Sequence, residues 1–154
     1  RALVYNKGAM VLHMLRGLLG DDVFFNGLRR FYHASRFEKV GTDALQLAFE
    51  LESGVPLDRF FERWIHEMGL PELEFSSRVE TTATGDEVVL RFEQRTERLF
   101  ELPVTVDLVY RSGEEETVTV PVTDRVSEMR IPAKGRLRRA RISRTDTALA
   151  DIDD

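Results

Sequence analysis

The chain has 154 residues, 42% hydrophobic and 32% charged, which provides for a packed core in one ordinary domain or two small ones and excludes global disorder. Its 22 Lys plus Arg against 27 Asp plus Glu give a formal charge of -5, which argues against a general nucleic-acid binder. No apolar run reaches the roughly 20 residues of a membrane span, and the absence of Cys removes disulfides, thiolate nucleophiles and Cys-ligated zinc without assigning a compartment.

The chain opens Arg1-Ala2-Leu3-Val4, with no initiator Met and no secretory signal pattern, and enters helical periodicity almost at once. We read this as a piece of a longer protein that starts just ahead of a helix; removal of a tag or pro-segment is the alternative. A first helix is predicted from about Asn6 to Leu19, with Val11, Leu12, Leu15, Leu18 and Leu19 on one side and Gly20 as its stop. A second begins at Asp21 or Asp22 as cap and buries Phe24, Leu28 and Phe31. A third follows Gly41 with Thr42 as cap, sends Leu45, Ala48 and Phe49 inward, and stops near Gly54. The fourth carries Leu57, Phe60, Phe61, Trp64, Ile65 and Met68 at helical spacing, a stripe that should face a core. Gly69 and Pro71 end it.

From Leu73 the apolar period becomes two. Leu73, Phe75 and Val79 alternate with polar residues, as do Val88, Leu90 and Phe92, then Val104 to Tyr110 and Val118 to Val122. Weaker strands are expected at Val126 to Ile131 and Leu137 to Ser143, with turns at Thr84-Gly85-Asp86, Ser112-Gly113 and Lys134-Gly135. The fold class is therefore α+β: an N-terminal antiparallel array of four helices, then a small antiparallel β-sandwich of immunoglobulin or fibronectin type. The expected division is a helical part over 1–72, the sandwich over 73–146 and a frayed acidic tail over 147–154.

Few residues point to chemistry. His13, His33 and His66 include no pair four apart, so the two-His helical zinc motif is absent, and His66-Glu67 only begins like it. There is no nucleophile elbow, Walker loop or dinucleotide fingerprint. Phe60, Phe61 and Trp64 read as core, and Glu114-Glu115-Glu116 as a solvated hairpin end. Arg136, Arg138, Arg139, Arg141 and Arg144 form a locally basic segment, read first as an exposed strand face and second as a phosphate site. One stretch stands apart: Tyr5-Asn6-Lys7-Gly8-Ala9, at the entry to the first helix. A tyrosyl hydroxyl, with a pKa near about 10, stays protonated at neutral pH and is a neutral donor for an oxyanion formed by attack on a carbonyl. Gly8 would admit close approach of another backbone or of a substrate.

That stretch resembles the Tyr-x-Lys-Gly-Ala signature of the membrane-alanyl-aminopeptidase family, the thermolysin-like gluzincin peptidases. Val11-Leu12-His13-Met14-Leu15 with Leu18-Leu19-Gly20 is similar to the family's next helix, Phe24-Phe25 with Leu28 to Tyr32 to the one after, and Thr42-Asp43 to Glu50 to the following one. Phe60-Phe61-Glu62-Arg63-Trp64 and Gly69-Leu70-Pro71 resemble the end of the catalytic domain. The match covers about residues 4 to 75 in family order, and Leu102-Pro103-Val104 to Leu108 extends it more weakly into a β-domain.

The resemblance implies that Tyr5 donates a hydrogen bond to the oxyanion of the tetrahedral intermediate. Asn6 stands where glutamate is commoner, a side chain that is not the donor. It also implies a zinc cofactor in the full-length parent, with the ligands, general base and amine-binding glutamates all upstream of this chain, and a peptide as substrate. No residue here is assigned to metal or to another cofactor, and the piece by itself is expected to be inactive. The competing readings are a scaffold or binding protein that keeps the peptidase fold without its metal, and an unrelated binding module. Apolar surface of the helical face left open is expected to drive self-association.

Overall fold

The computed structural model describes the backbone of residues 2–145 and 148–153, with side chains from Lys7 onward within that span. The fold is α+β, and the chain divides into two compact units, Arg1–Met68 and Gly69–Asp154.

The first unit holds α1 (Ala2–Leu19), α2 (Asp21–Ala34), α3 (Thr42–Ser53) and α4 (Asp58–Phe61), which runs on into a π-wound turn, Glu62–His66. One residue separates α1 from α2: Gly20 sits at φ 81°, so the chain reverses within a single left-handed residue. Gly20 therefore takes the cap position expected of an Asp, and Asp21 becomes the first helical residue, held by Arg16 through two bonds of 2.7 and 2.9 Å. Gly41, not Thr42, likewise precedes α3.

The core of this unit is Val11, Met14 and Leu15 of α1, Phe24 of α2, Ala48 and Phe49 of α3, then Leu57, Phe60, Phe61 and Trp64. Phe49 stacks on Phe24 with ring centroids 5.4 Å apart. It also lies so close to α2 that a Cβ on Gly27 would meet its Cδ1 at 2.5 Å, so α2 needs glycine there. Three expectations are corrected. Leu12 is exposed and Met14 is buried in its place, because positions 11, 14, 15 and 18 form the contiguous helical stripe. Leu28, Phe31 and Leu45 are only half-buried. Ile65 and Met68, placed by 3.6-residue spacing in the fourth apolar stripe, are exposed, Met68 at 98%. Winding over 62–66 is wider than α, and the backbone is already extended at Glu67, so the stripe ends at Trp64.

The second unit contains two sheets. One has the order β5-β2-β1-β7, built from β1 (Glu72–Thr82), β2 (Gly85–Gln94), β5 (Val126–Pro132) and β7 (Asp151–Asp153). The other has the order β4-β3-β6, built from β3 (Leu102–Tyr110), β4 (Glu115–Val122) and β6 (Leu137–Ile142). All pairings are antiparallel except β1 with β7. Leu73 and Phe75, then Val88 to Leu90 and Phe92, are buried in the first sheet; Val104, Val106, Leu108 and Tyr110 with Val120 and Val122 are buried in the second. Val79 is exposed, although its cross-strand partner Val88 is buried. The connection from β2 to β3 is tied by Gln94, 1% exposed, whose amide donates to the carbonyls of Phe100 (2.8 Å) and Asp124 (3.1 Å) and accepts from the Phe100 N–H (2.9 Å). Arg125 adds guanidinium bonds to the carbonyls of Gln94, Thr96 and Glu97.

The acidic tail departs from the fraying expected of it. Asp151 N donates to Pro71 O at 3.0 Å, and Ile152 pairs with Leu73 as β7. An apolar residue between two Asp is enough to seat a three-residue edge strand beside β1. Residues 146, 147 and 154 lie outside the described residues.

Candidate functional site

Tyr5 lies in the backbone of α1, one helix that continues to Leu19; its side chain lies outside the described residues. Lys7 is half-buried and Gly8 exposed, and open space surrounds the point where a Cβ on Gly8 would stand. Downstream on the same helix, Val11, Met14 and Leu15 are buried, so one face of α1 is fixed in the unit's core and its N-terminal turns are carried on a packed rod.

The histidines do not converge. His13, His33 and His66 are all exposed, on α1, on α2 and at the end of the π-wound turn. Among the described residues, no three His, Asp or Glu side chains gather as a metal ion requires. A zinc ion therefore has no fitting donor set among them. Glu67, which follows His66 in the half-motif, is engaged by Arg63 four residues earlier.

The aromatic cluster is core. Phe60 packs against Phe61 at 5.7 Å and against Trp64 at 6.5 Å, all buried. The Glu114 to Glu116 run lies where the turn enters β4, at the hairpin end expected, with Glu114 and Glu115 exposed; Glu116 bonds Lys134 (3.1 Å) and accepts from the Tyr110 hydroxyl (3.2 Å), and Glu115 pairs with Arg141 at 3.7 Å. Burial, first, pushes the Tyr110 phenol up, and the Glu116 carboxylate adds to the rise; Glu116 in turn raises Lys134. Tyr110 and Lys134 are thereby held protonated, and the cluster serves structure.

The basic segment forms β6 and its flanks. Arg141 pairs with Asp107, only 8% exposed, at 3.5 Å, while Arg136, Arg138, Arg139 and Arg144 are exposed. Reading along the sequence missed a sixth member: Arg111 N donates to Arg136 O at 2.8 Å, so two arginines 25 positions apart become neighbours. Only strand pairing shows this.

No helix among the described residues is long and apolar enough to cross a membrane.

Comparison with known proteins places the Tyr5 helix in context. Residues 1–64 match the model of the peptidase family M1 domain. Over 108 residues, 69% of this chain and 13% of the relative, the sequence is 30% identical to aminopeptidase N of Lactococcus lactis subsp. lactis. It is 27% identical over 113 residues to tricorn protease-interacting factor F2 of Thermoplasma volcanium, covering 71% of this chain and 14% of that protein. It is 33% identical over 70 residues, 46% of this chain and 8% of the relative, to aminopeptidase M1 of Arabidopsis thaliana. The chain thus spans roughly an eighth of the first of these relatives. The crystal structure of Legionella pneumophila aminopeptidase A in complex with aspartic acid superposes with a TM-score of 0.84 at 20% identity, over 100% of this chain and 18% of that one, a likeness of fold.

Proposed function

From the premise that residues 1–64 are a stretch of peptidase family M1 domain, we propose that the chain performs the part of the corresponding stretch of an aminopeptidase that removes N-terminal residues from peptides. The observation that carries this is continuity: similarity to an aminopeptidase runs over 108 residues, farther than either compact unit of the chain. In this reading residues 1–72 end the catalytic domain, and 73–146 form a β-sandwich.

The chemistry proposed for this chain rests on one side chain. The Tyr5 phenol, protonated at neutral pH, donates to the oxyanion as a carbonyl becomes tetrahedral. It would be carried by α1, which is fixed in its unit further along by the buried Val11, Met14 and Leu15. Zinc, its ligands and the general base would come from polypeptide outside these 154 residues. Taken alone, the chain would be inactive. The exposed helical face is read as a self-association surface. The scaffold reading has no observation in its favour.

The test is a chimera in which this chain replaces the matching stretch of the Lactococcus lactis aminopeptidase N. Hydrolysis of an aminoacyl-anilide is expected, and Tyr5→Phe should lower kcat by about 10²–10³-fold, with KM little changed. Zinc content and circular dichroism check that the variant is intact. Wild-type kcat in an intact Tyr5→Phe chimera overturns the role of Tyr5.

A further inference from the structure

In the four-stranded sheet the arginines meet carboxylates: Arg78 meets Glu80 and Glu128, Arg91 meets Glu93, Arg95 meets Glu74, and Arg130 meets Glu80 and Glu87. The end of the three-stranded sheet is built otherwise. Arg111, Arg136, Arg138 and Arg139 are exposed, and among the described residues their guanidinium groups have no hydrogen-bond or ion-pair partner. Of the carboxylates nearby, Glu116 is engaged by Lys134 and both Asp107 and Glu115 by Arg141, which leaves the exposed Glu114 against four arginines. On a chain of net charge -5, this is a concentration of uncompensated positive charge.

The same place has an open backbone edge. β6 is the last strand of the order β4-β3-β6. Ser143 N donates to Thr105 O at 2.8 Å, which sets the alternation: Arg139, Arg141 and Ser143 bond toward β3, and Ala140 and Ile142 turn their N–H and C=O groups to the open side. The register shift between Val109 and Tyr110 leaves Arg138 without an opposing residue, so the regular edge runs over 139–143.

We propose that the open edge of β6 accepts an acidic extended polypeptide segment as an added strand, with its carboxylates met by Arg111, Arg136, Arg138 and Arg139. Strand addition supplies affinity through the main chain, and flanking side chains supply selectivity. The charge settles which strand is admitted. Two β6 edges brought together would set arginine against arginine, a destabilising pairing, whereas an acidic segment answers both the amides and the guanidinium groups. A polyphosphate would answer the charge alone. This inference does not depend on the peptidase reading.

The experiment uses the whole chain and a capped peptide of about eight residues alternating Glu with Val, a length suited to one added strand. Calorimetry should show saturable binding, and NMR should show the Ala140 and Ile142 amides shifting and exchanging more slowly. Arg138→Glu with Arg139→Glu should weaken binding by roughly tenfold or more, and methylating alternate backbone nitrogens of the peptide should do the same. Circular dichroism confirms that the double variant is folded. The proposal is overturned if the peptide does not bind, if the methylated peptide binds equally well and inorganic polyphosphate displaces both, or if the arginine substitutions abolish instead a pairing between two copies of the chain.

Discussion

Gln94 shows how much one buried polar residue can determine. Its amide uses both of its ends on backbone groups of Phe100 and Asp124, closing the link between two strands that belong to different sheets. Gln94→Leu keeps similar volume but withdraws one acceptor and two donor contacts from a site only 1% exposed. The expected loss is about 2–3 kcal/mol, since deleting a buried partner costs the desolvation of the groups it served. Urea denaturation should show a lower midpoint at unchanged slope. A midpoint equal to wild type would mean that Arg125 alone holds the link. Nothing in the sequence marks Gln94, because its partners lie 6 and 30 positions away and are backbone atoms. Tyr5 is the opposite case: a local motif singles it out, a phenol, a lysine and a glycine close together in sequence, and the structure places that stretch inside α1 rather than at the entry the sequence suggested.

At the scale of elements, most of what was readable came from apolar period, and the departures arise where winding or caps change. Three-and-a-half-residue spacing placed Phe60, Phe61 and Trp64 in the core correctly, but it could not register the π-wound turn that releases Ile65 and Met68. Side-chain capping by Asp or Thr was the expectation at α2 and α3, yet glycine takes both cap positions: Gly20, at φ 81°, has a backbone that favours glycine, whereas Gly41 has the extended backbone of an ordinary cap. Charge partners across strands were likewise invisible, since Arg78 meets Glu128 50 positions away only through the β2–β5 register.

That ladder has a measurable consequence. Arg130 first, and Arg78 with it, hold the Glu80 carboxyl below its ordinary value of 4.5. A carboxyl whose folded pKa is depressed contributes stability that is complete above the unfolded value and disappears as pH falls through the lower, folded one. Wild-type melting temperature should therefore fall more steeply than that of Glu80→Gln as pH drops from about 5 to about 3. Because the groups are exposed, added salt should narrow the gap between them. Parallel pH profiles for the two proteins would show that the ladder contributes nothing to folding.

For the molecule as a whole, the change from helical to alternating period near Pro71 was legible because each unit buries one kind of apolar face, and the units divide at Met68 and Gly69. The helical unit leaves more apolar surface in water than a self-contained fold requires. Leu47 and Leu51 stand one turn apart on α3, 55% and 60% exposed, and Phe37, Tyr32 and Phe25 add aromatic area on and after α2. Exposed apolar side chains of this kind favour contact with others like them, by burial at about 25 cal/mol per Å². Light scattering should therefore give a mass that rises with concentration between about ten micromolar and about one millimolar, the range of weak association. Leu47→Ser with Leu51→Ser should hold the chain at monomer mass across that range while its helical circular dichroism stays unchanged, since both side chains lie outside the core. A monomer mass at every concentration for the wild-type chain would refute association through this face, and an oligomer untouched by the two substitutions would place the contact elsewhere on the protein.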